Sequence, residues 1–255
     1  MNYKYKFYLA NLLYKYAVPV YRMLYFVYKK KTDAYEISLL KKWLHPGVVV
    51  FDIGANIGFY SVLLSKLAGG NGVVHCFEHD RTNMYYLQKE IRHFPNIVLN
   101  KKAVSDTAKT LKLYTSNRIN VVHRTYPVKS YGTTYEVEAV SIDEYVNQKY
   151  KVDFIKMDIQ GSEFFALRGM AKTLELNPDI IVLTELWPAG LKEAGVDIKE
   201  MINFIFSLHF KIFLIEEDKL KRFSHDILND TGFREKDPDS FYNIIITQKE
   251  LINNE

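Results

Sequence analysis

The chain has 255 residues, 48% hydrophobic and 25% charged, with only 12 Gly and 7 Pro, a composition that excludes disordered, collagenous and low-complexity classes. One large domain with attachments is expected, because single cores stop growing near ~250–300 residues. A single cysteine, Cys76, excludes an internal disulfide and a cysteine-pair zinc site and points to a reducing, cytoplasmic setting. Within the apolar run VVHCF it reads as a small buried hydrophobe.

The net charge of +4 is unevenly spread: residues 1–32 hold Lys4, Lys6, Lys15, Arg22, Lys29, Lys30 and Lys31 and no acid, so they carry +7 and leave −3 for the remainder. The same segment contains Tyr3, Tyr5, Tyr8, Tyr14, Tyr16, Tyr21, Tyr25 and Tyr28 with Phe7 and Phe26. It falls short of the ~20 apolar residues of a spanning helix, because Lys15 ends the stretch from Phe7 and Pro19 interrupts the next one. Recurrent basic residues and the lack of a cleavage site after an apolar core argue against a secretory signal. Lys15, Arg22 and Lys29 recur every seven residues, with Lys4 eleven before Lys15, which predicts one or two helices bearing a cationic stripe opposite an aromatic face. Two readings stand: the aromatic face packs on the domain with the stripe solvated, or the helices contact the inner face of an anionic membrane peripherally. The acidic remainder carries no basic stripe, so no nucleic-acid partner is expected.

From residue 33 a single domain is expected to extend to 255. Asp33 with Glu36 forms a capping-box-like start to a helix over 33–44, stopped by Pro46-Gly47. VVVFDIG reads as a buried strand, GFYSVLLSKLA as a helix, GVVHCFE as a strand, RTNMYYLQKEIRHF as a helix and IVLN as a strand. That alternation predicts parallel strands joined by helical crossovers. Residues 103–141 change character to short alternating pieces, LKLY and YEVEAV, around a polar loop, and predict an antiparallel excursion. Alternation resumes with VDFIKMD, SEFFALRGMAKTLE, DIIVLTE and IKEMINFIFSL, and closes with FKIFLIEE and FYNIIITQ, which lack a helix between them and are expected to pair antiparallel. The fold class is therefore α/β, a doubly wound, mostly parallel sheet with an antiparallel last strand and N-terminal helices.

The first strand ends at Asp52 and enters Gly54-Ala55-Asn56-Ile57-Gly58, a glycine-containing strand-to-helix turn where a ligand can approach backbone. Asn56 stands where a dinucleotide fingerprint needs its middle glycine, which weakens a nicotinamide-cofactor reading, and no phosphate-loop lysine is present after it. Glu78 ends the second strand, twenty residues beyond Gly58, where a carboxylate can accept hydrogen bonds from both ribose hydroxyls of a nucleoside.

DIGANIGFYS, then CFEHD, NKKAVSD, and IDEYV followed by VDFIKMDIQGSEFFALRGM and IIVLTE resemble, in order, the FkbM family of S-adenosylmethionine-dependent methyltransferases over about residues 35–248. The resemblance implies a Rossmann-like class I methyltransferase fold and S-adenosylmethionine as cofactor. It places Gly54, Ala55, Asn56 and Gly58 around the methionine part with Asp52 beside them, Glu78 on the ribose, an Ala103-Val104 turn near the adenine, and Asp158 facing the transfer site. Two departures are Gln160, where the family usually shows Glu, and His79, where it usually shows Pro. Gln160 puts in doubt any metal or base role that needs a carboxylate there, and a divalent metal is left undecided. Glu163 either acts at the site or merely favours the positive end of the following helix.

Methyl transfer to a hydroxyl calls for a group that takes its proton, for which Asp158 is the first candidate, Glu185 the second and His123 a third from the excursion. Arg118, Arg124 and Lys129 could meet an acidic acceptor, and Trp187-Pro188 could wall a sugar ring or anchor the core. The expected activity is O-methylation of a sugar hydroxyl of a glycan, glycolipid or related product. The alternative is a non-catalytic module partnering another glycan-modifying enzyme, with Gln160 as its support.

Overall fold

The computed structural model describes residues 3–115, 124–127, 131–224 and 240–251. Helices α1 (Tyr3–Tyr16) and α2 (Val18–Thr32) are separated by a bend at Ala17. Pro19 sits in the first turn of α2, where the N–H it lacks would have no intrahelical partner. Helix α3 (Ala34–Trp43) follows at the expected place, but the capping box does not form. The Asp33 carboxylate is drawn to Tyr60 and Lys29 and Glu36 to Asn243, contacts that outcompete the backbone N–H groups. No described helix is long and apolar enough to cross a membrane.

The main sheet has eight strands, β1 (Val49–Ile53), β2 (Val73–Phe77), β3 (Ile97–Asn100), β7 (Phe154–Met157), β8 (Ile181–Leu186), β9 (Lys211–Glu216), β10 (Lys219–Arg222) and β11 (Tyr242–Thr247), in the order β10-β9-β11-β8-β7-β1-β2-β3. Strands β3, β2, β1, β7 and β8 run parallel, while β11 is antiparallel to both β8 and β9. The expected antiparallel pair is present, but β11 inserts between β8 and β9, and the short hairpin strand β10 borders β9 outside it. The period-2 alternation sorts side chains to two faces. Val50, Phe154, Leu183 and Ile245 pack with Leu40 of α3 and Leu64 of α4 (Phe59–Ala68), and Leu87 of α5 (Arg81–Ile91) joins them. Phe51, Ile155, Val182 and Ile244 pack on the other face with Phe164, Leu174 and Ile202. Cys76 lies in the first of these cores, fully buried, as expected.

The excursion forms a second, three-stranded sheet, β4 (Ala103–Val104), β5 (Lys109–Tyr114) and β6 (Thr134–Val140), in which β5 and β6 are antiparallel. Ala103 and Val104 are thus a strand, parallel to β6, instead of the expected turn; Ala103 packs in the small sheet's core and Val104 in the main one. The segment SEFFALRGMAKTLE, read as one helix, is two, α7 (Glu163–Arg168) and α8 (Ala171–Leu176). The break falls at Gly169, whose Cα lies so close to the Ser105 carbonyl that no side chain fits, and whose carbonyl accepts the Asp143 N–H at 2.9 Å.

Candidate active site

The strand order reverses at β1, with β2 on one side and β7 on the other, and ligands of such sheets bind in the crevice beyond the carboxyl ends of those strands. Gly54, at φ +82°, enters the turn there, and a Cβ on it would run into the Asp158 carbonyl oxygen. Its first role is therefore to let the ends of β1 and β7 close together. Gly58, at φ +95°, lies against Leu87 and Glu90 of α5. Ala55 is buried in the core, and Asn56 holds φ +51° with its own side-chain oxygen accepting the Ile57 N–H at 2.7 Å.

Glu78 is locked by backbone: one carboxylate oxygen accepts the Asn56 N–H at 2.7 Å, and the other accepts His79 N–H at 2.9 Å and Asp80 N–H at 2.7 Å. Burial pushes its carboxyl up to about 8 against the pull of these donors. The oxygen shared with Asn56 keeps capacity for a further donor. Asp80 caps α5, accepting from Thr82 N–H and Asn83 N–H, so the end of β2 is a fixed acidic rim. Asp52 is fully buried; one oxygen accepts Ser61 Oγ–H at 2.6 Å and the other has no hydrogen-bond partner. Burial raises this carboxyl above the usual range although Lys156 and Ser61 pull the other way. An unsatisfied buried acceptor at the foot of the turn fits a cofactor that brings ammonium and N–H donors, as S-adenosylmethionine does.

Alternation along β1, β7 and β8 places Asp52, Lys156, Asp158 and Glu185 on one face, the face of Val50, Phe154 and Leu183. Lys156, buried, lies 3.4 Å from an Asp158 carboxylate oxygen and 4.9 Å from the centre of the Tyr60 ring. Asp158, just past the end of β7, keeps about 30% of its side chain exposed. Burial alone would raise its carboxyl, but Lys156, Lys29 and the Gln160 amide, which donates to it at 2.9 Å, hold it below the usual range. Glu185, one position beyond the Met157–Thr184 pairing, is pushed well above the usual range by burial and by the charges of Asp158 and Glu163. The two carboxyl groups are thus pushed in opposite directions, Asp158 toward its ionised form and Glu185 toward its protonated form. Gln160 supplies a hydrogen bond to Asp158 where a carboxylate would repel it.

Glu163 is not a mere helix-end charge. It is buried and accepts Ile159 N–H at 3.1 Å and Gly161 N–H at 2.8 Å, clamping the loop that carries Asp158 and Gln160. Burial pushes it up to about 7. The far side of that loop meets the excursion, where Tyr126 Oη–H donates to the Gln160 carbonyl at 2.9 Å and Thr125 and Ser162 share a hydrogen bond of 2.7 Å. Arg124 does not wait for an acidic acceptor: it pairs with Glu193 and covers the Trp187 ring at 4.8 Å. Trp187 packs against Gly190, which has no room for a Cβ. His123, Arg118 and Lys129 lie outside the described residues.

The roof of the crevice comes from the N-terminal helices, which the sequence pattern did not assign to the site. Tyr14 of α1 donates to the Asn83 side-chain oxygen at 2.6 Å, and burial with the charges of Asp80 and Glu78 raises its hydroxyl. Tyr14, Tyr21 and Ile57 of the glycine turn form one cluster, with Tyr25 stacked on Tyr21 at 5.6 Å. Burial and the fields of Asp158, Asp33 and Asp52 raise Tyr25. Lys29 pairs with Asp33 at 2.5 Å and lies 5.5 Å from the centre of the Tyr60 ring. The expected stripe of Lys15, Arg22 and Lys29 is solvated only in part: Lys15 is exposed, Arg22 is exposed but pairs with Glu90 of α5, and Lys29 turns into the domain. Lys156 offered the clearest missed signal, a lone cation in an otherwise apolar strand, which is seldom buried without acids beside it.

The fold, a mostly parallel α/β sheet with its crevice at the switch point, is that of the class I S-adenosylmethionine-dependent methyltransferases. An rRNA methylase from Streptococcus thermophilus is similar over 84% of this chain and 95% of its own at 9% identity, TM-score 0.50. A precorrin-6y C5,15-methyltransferase from Geobacter metallireducens matches over 85% and 88% at 10% identity, TM-score 0.49. None of the curated proteins matches the sequence. The methyltransferase FkbM domain model matches residues 52–212, and the chain belongs to that family.

Proposed function

We propose that the protein methylates an oxygen, transferring the methyl group of S-adenosylmethionine to a sugar hydroxyl of a glycan, glycolipid or related product. The observation that carries the reading is the pair of carboxyl groups at the ends of β7 and β8: Asp158, part-exposed, 3.4 Å from Lys156 and accepting the Gln160 amide at 2.9 Å, beside the part-buried Glu185. When bound, the cofactor supplies an electrophilic methyl on a sulfonium. Asp158 accepts the acceptor hydroxyl's proton, and Lys156 with the Gln160 amide fixes the carboxylate that does so. Glu185, whose carboxyl burial favours in the protonated form, donates a hydrogen bond to a second oxygen of the acceptor. Asp52, the turn and Glu78 hold the donor, and Tyr25 and Tyr60 help to exclude water, so that positioning supplies a large part of the barrier reduction, up to about 7–11 kcal/mol. The sugar class follows the family resemblance. Among the described residues no group of three or more His, Cys, Asp or Glu could hold a metal ion.

The test is transfer of labelled methyl from S-adenosylmethionine to a panel of sugars and glycolipids, with and without a chelator. Asp158→Asn is expected to lower turnover at least a hundredfold while S-adenosylhomocysteine binding stays within about threefold. Full turnover by that variant, or label found only on nitrogen acceptors, would refute the assignment.

A further inference from the structure

The outer side of the N-terminal helix pair is apolar and uncovered. In α2, Val20, Met23, Leu24, Val27 and Tyr28 recur at helical spacing and are all exposed, Val27 by 63% and Tyr28 by 61%. In α1, Leu9, Leu12 and Tyr16 do the same. A period of 3.6 residues places Leu9, Leu12 and Tyr16 opposite Tyr14, and Val20, Met23 and Val27 away from Tyr21 and Tyr25, whose rings face the domain, with Leu24 and Tyr28 on the flank between. Helix α2 is therefore apolar on two sides, and the fold uses one. Scattered exposed hydrophobes are ordinary, whereas an exposed apolar stripe at helical spacing on each of two consecutive helices marks a contact surface.

Charge decides what the ridge meets. Residues 1–32 carry seven cations and no acid. Arg22 and Lys29 are engaged by Glu90 and Asp33. Lys15, Lys30 and Lys31 are exposed and have no carboxylate partner among the described residues, and Lys31 continues the stripe of Val20, Leu24 and Val27. A second copy seated on this face would bring cation against cation. Anionic headgroups pair the lysines while the acyl boundary takes the Val, Leu and Met side chains. Tyr16 and Tyr28 have the ring-with-hydroxyl character favoured at that depth.

We propose that the outer face of α1 and α2 docks on an anionic lipid bilayer, with both helices lying in the interface. This goes beyond the methyl-transfer reading, and vesicle binding is measured without cofactor or acceptor, so either can fail alone.

The experiment is sedimentation of the full chain with vesicles of phosphatidylcholine, or of phosphatidylcholine mixed with phosphatidylglycerol, for the wild type, a Met23→Glu/Val27→Glu variant and a Lys30→Glu/Lys31→Glu variant. All four positions are exposed, and an unchanged melting temperature confirms the fold. The wild type is expected to bind mixed vesicles at least tenfold better than neutral ones, and either variant to lose at least tenfold of that binding. Equal binding to both vesicle types, no sedimentation, or sedimentation untouched by the substitutions overturns the proposal. So does a wild-type dimer, seen by light scattering, that Met23→Glu/Val27→Glu dissociates, since a second copy would then occupy the ridge.

Discussion

If Glu78 holds the ribose, cofactor binding must follow its ionisation. Ribose hydroxyls donate hydrogen bonds, and a carboxylate accepts them more strongly than a carboxylic acid. Burial places the Glu78 carboxyl at about 8, so near pH 7 roughly one molecule in ten is ionised before ligand arrives. S-adenosylhomocysteine affinity should therefore rise up to about tenfold between pH 7 and pH 9, level off above that, and fall only about threefold further on going to pH 6, where binding by the neutral form sets the floor. The stability effect has the opposite sign. With the folded carboxyl raised above its ordinary 4.5, the ligand-free protein is most favoured where both states are protonated and loses that contribution as pH climbs from about 4.5 to about 8. Glu78→Gln cannot ionise, and its amide would point an N–H at the Asn56 N–H that the carboxylate now accepts. Hydrogen bonds to a charged acceptor exceed neutral ones by about 1 kcal/mol each, so two ribose contacts predict at least a tenfold weaker affinity at pH 9 and a flat pH profile. Isothermal titration calorimetry at pH 6, 7, 8 and 9 on both proteins measures this. A wild-type affinity constant within twofold over that range, or a Glu78→Gln variant that keeps the wild-type slope, refutes the reasoning.

Lys156→Met leaves Asp52, Asp158 and Glu185 without their buried cation, and should cost about 3–5 kcal/mol. In a domain of this size that lowers Tm by about 6–20 °C, readable by scanning fluorimetry; a shift under 2 °C would show that the acids are compensated otherwise. Gly54→Ala combines φ +82° with a collision at the Asp158 carbonyl and should give a protein that fails to fold or melts at least 6 °C lower, whereas a stable variant lacking only cofactor affinity would make the glycine a ligand residue alone. Tyr14→Phe removes the buried bond to Asn83 and should cost about 1–3 kcal/mol by leaving that oxygen unsatisfied, with hydrogen exchange in α1 rising more than in β1; uniform exchange would disprove a local tether.

The parallel strands and their crossover helices were legible because each buried strand is a short apolar run and each helix repeats every 3.6 residues. Asp52, Glu78, Asp158 and Glu185 were legible as strand-end acids for the same reason. What the sequence concealed depends on contacts far along the chain. The capping box over Asp33 and Glu36 is a local pattern overruled by Tyr60 and Asn243, which lie 27 and 207 residues away. The split between α7 and α8 is imposed by the Ser105 carbonyl pressing on Gly169. Lys29 and Arg22 read as a solvated stripe because spacing gives the face of a helix but not which face will be covered. The roof over the crevice escaped notice because tyrosine-rich, cationic helices have the same signature whether they meet protein or lipid.

The insertion of β11 between β8 and β9 has a consequence for how the chain is made. Until residues 242–247 are available, β8 and β9 have no hydrogen-bonding partner on the edges that will face each other across the gap. Both strands are strongly apolar, and open apolar edges are templates for pairing with other chains. A nascent chain can close β1, β2, β3, β7 and β8 early, yet it carries this slot open until residues 242–247 emerge, its most vulnerable interval for intermolecular strand exchange.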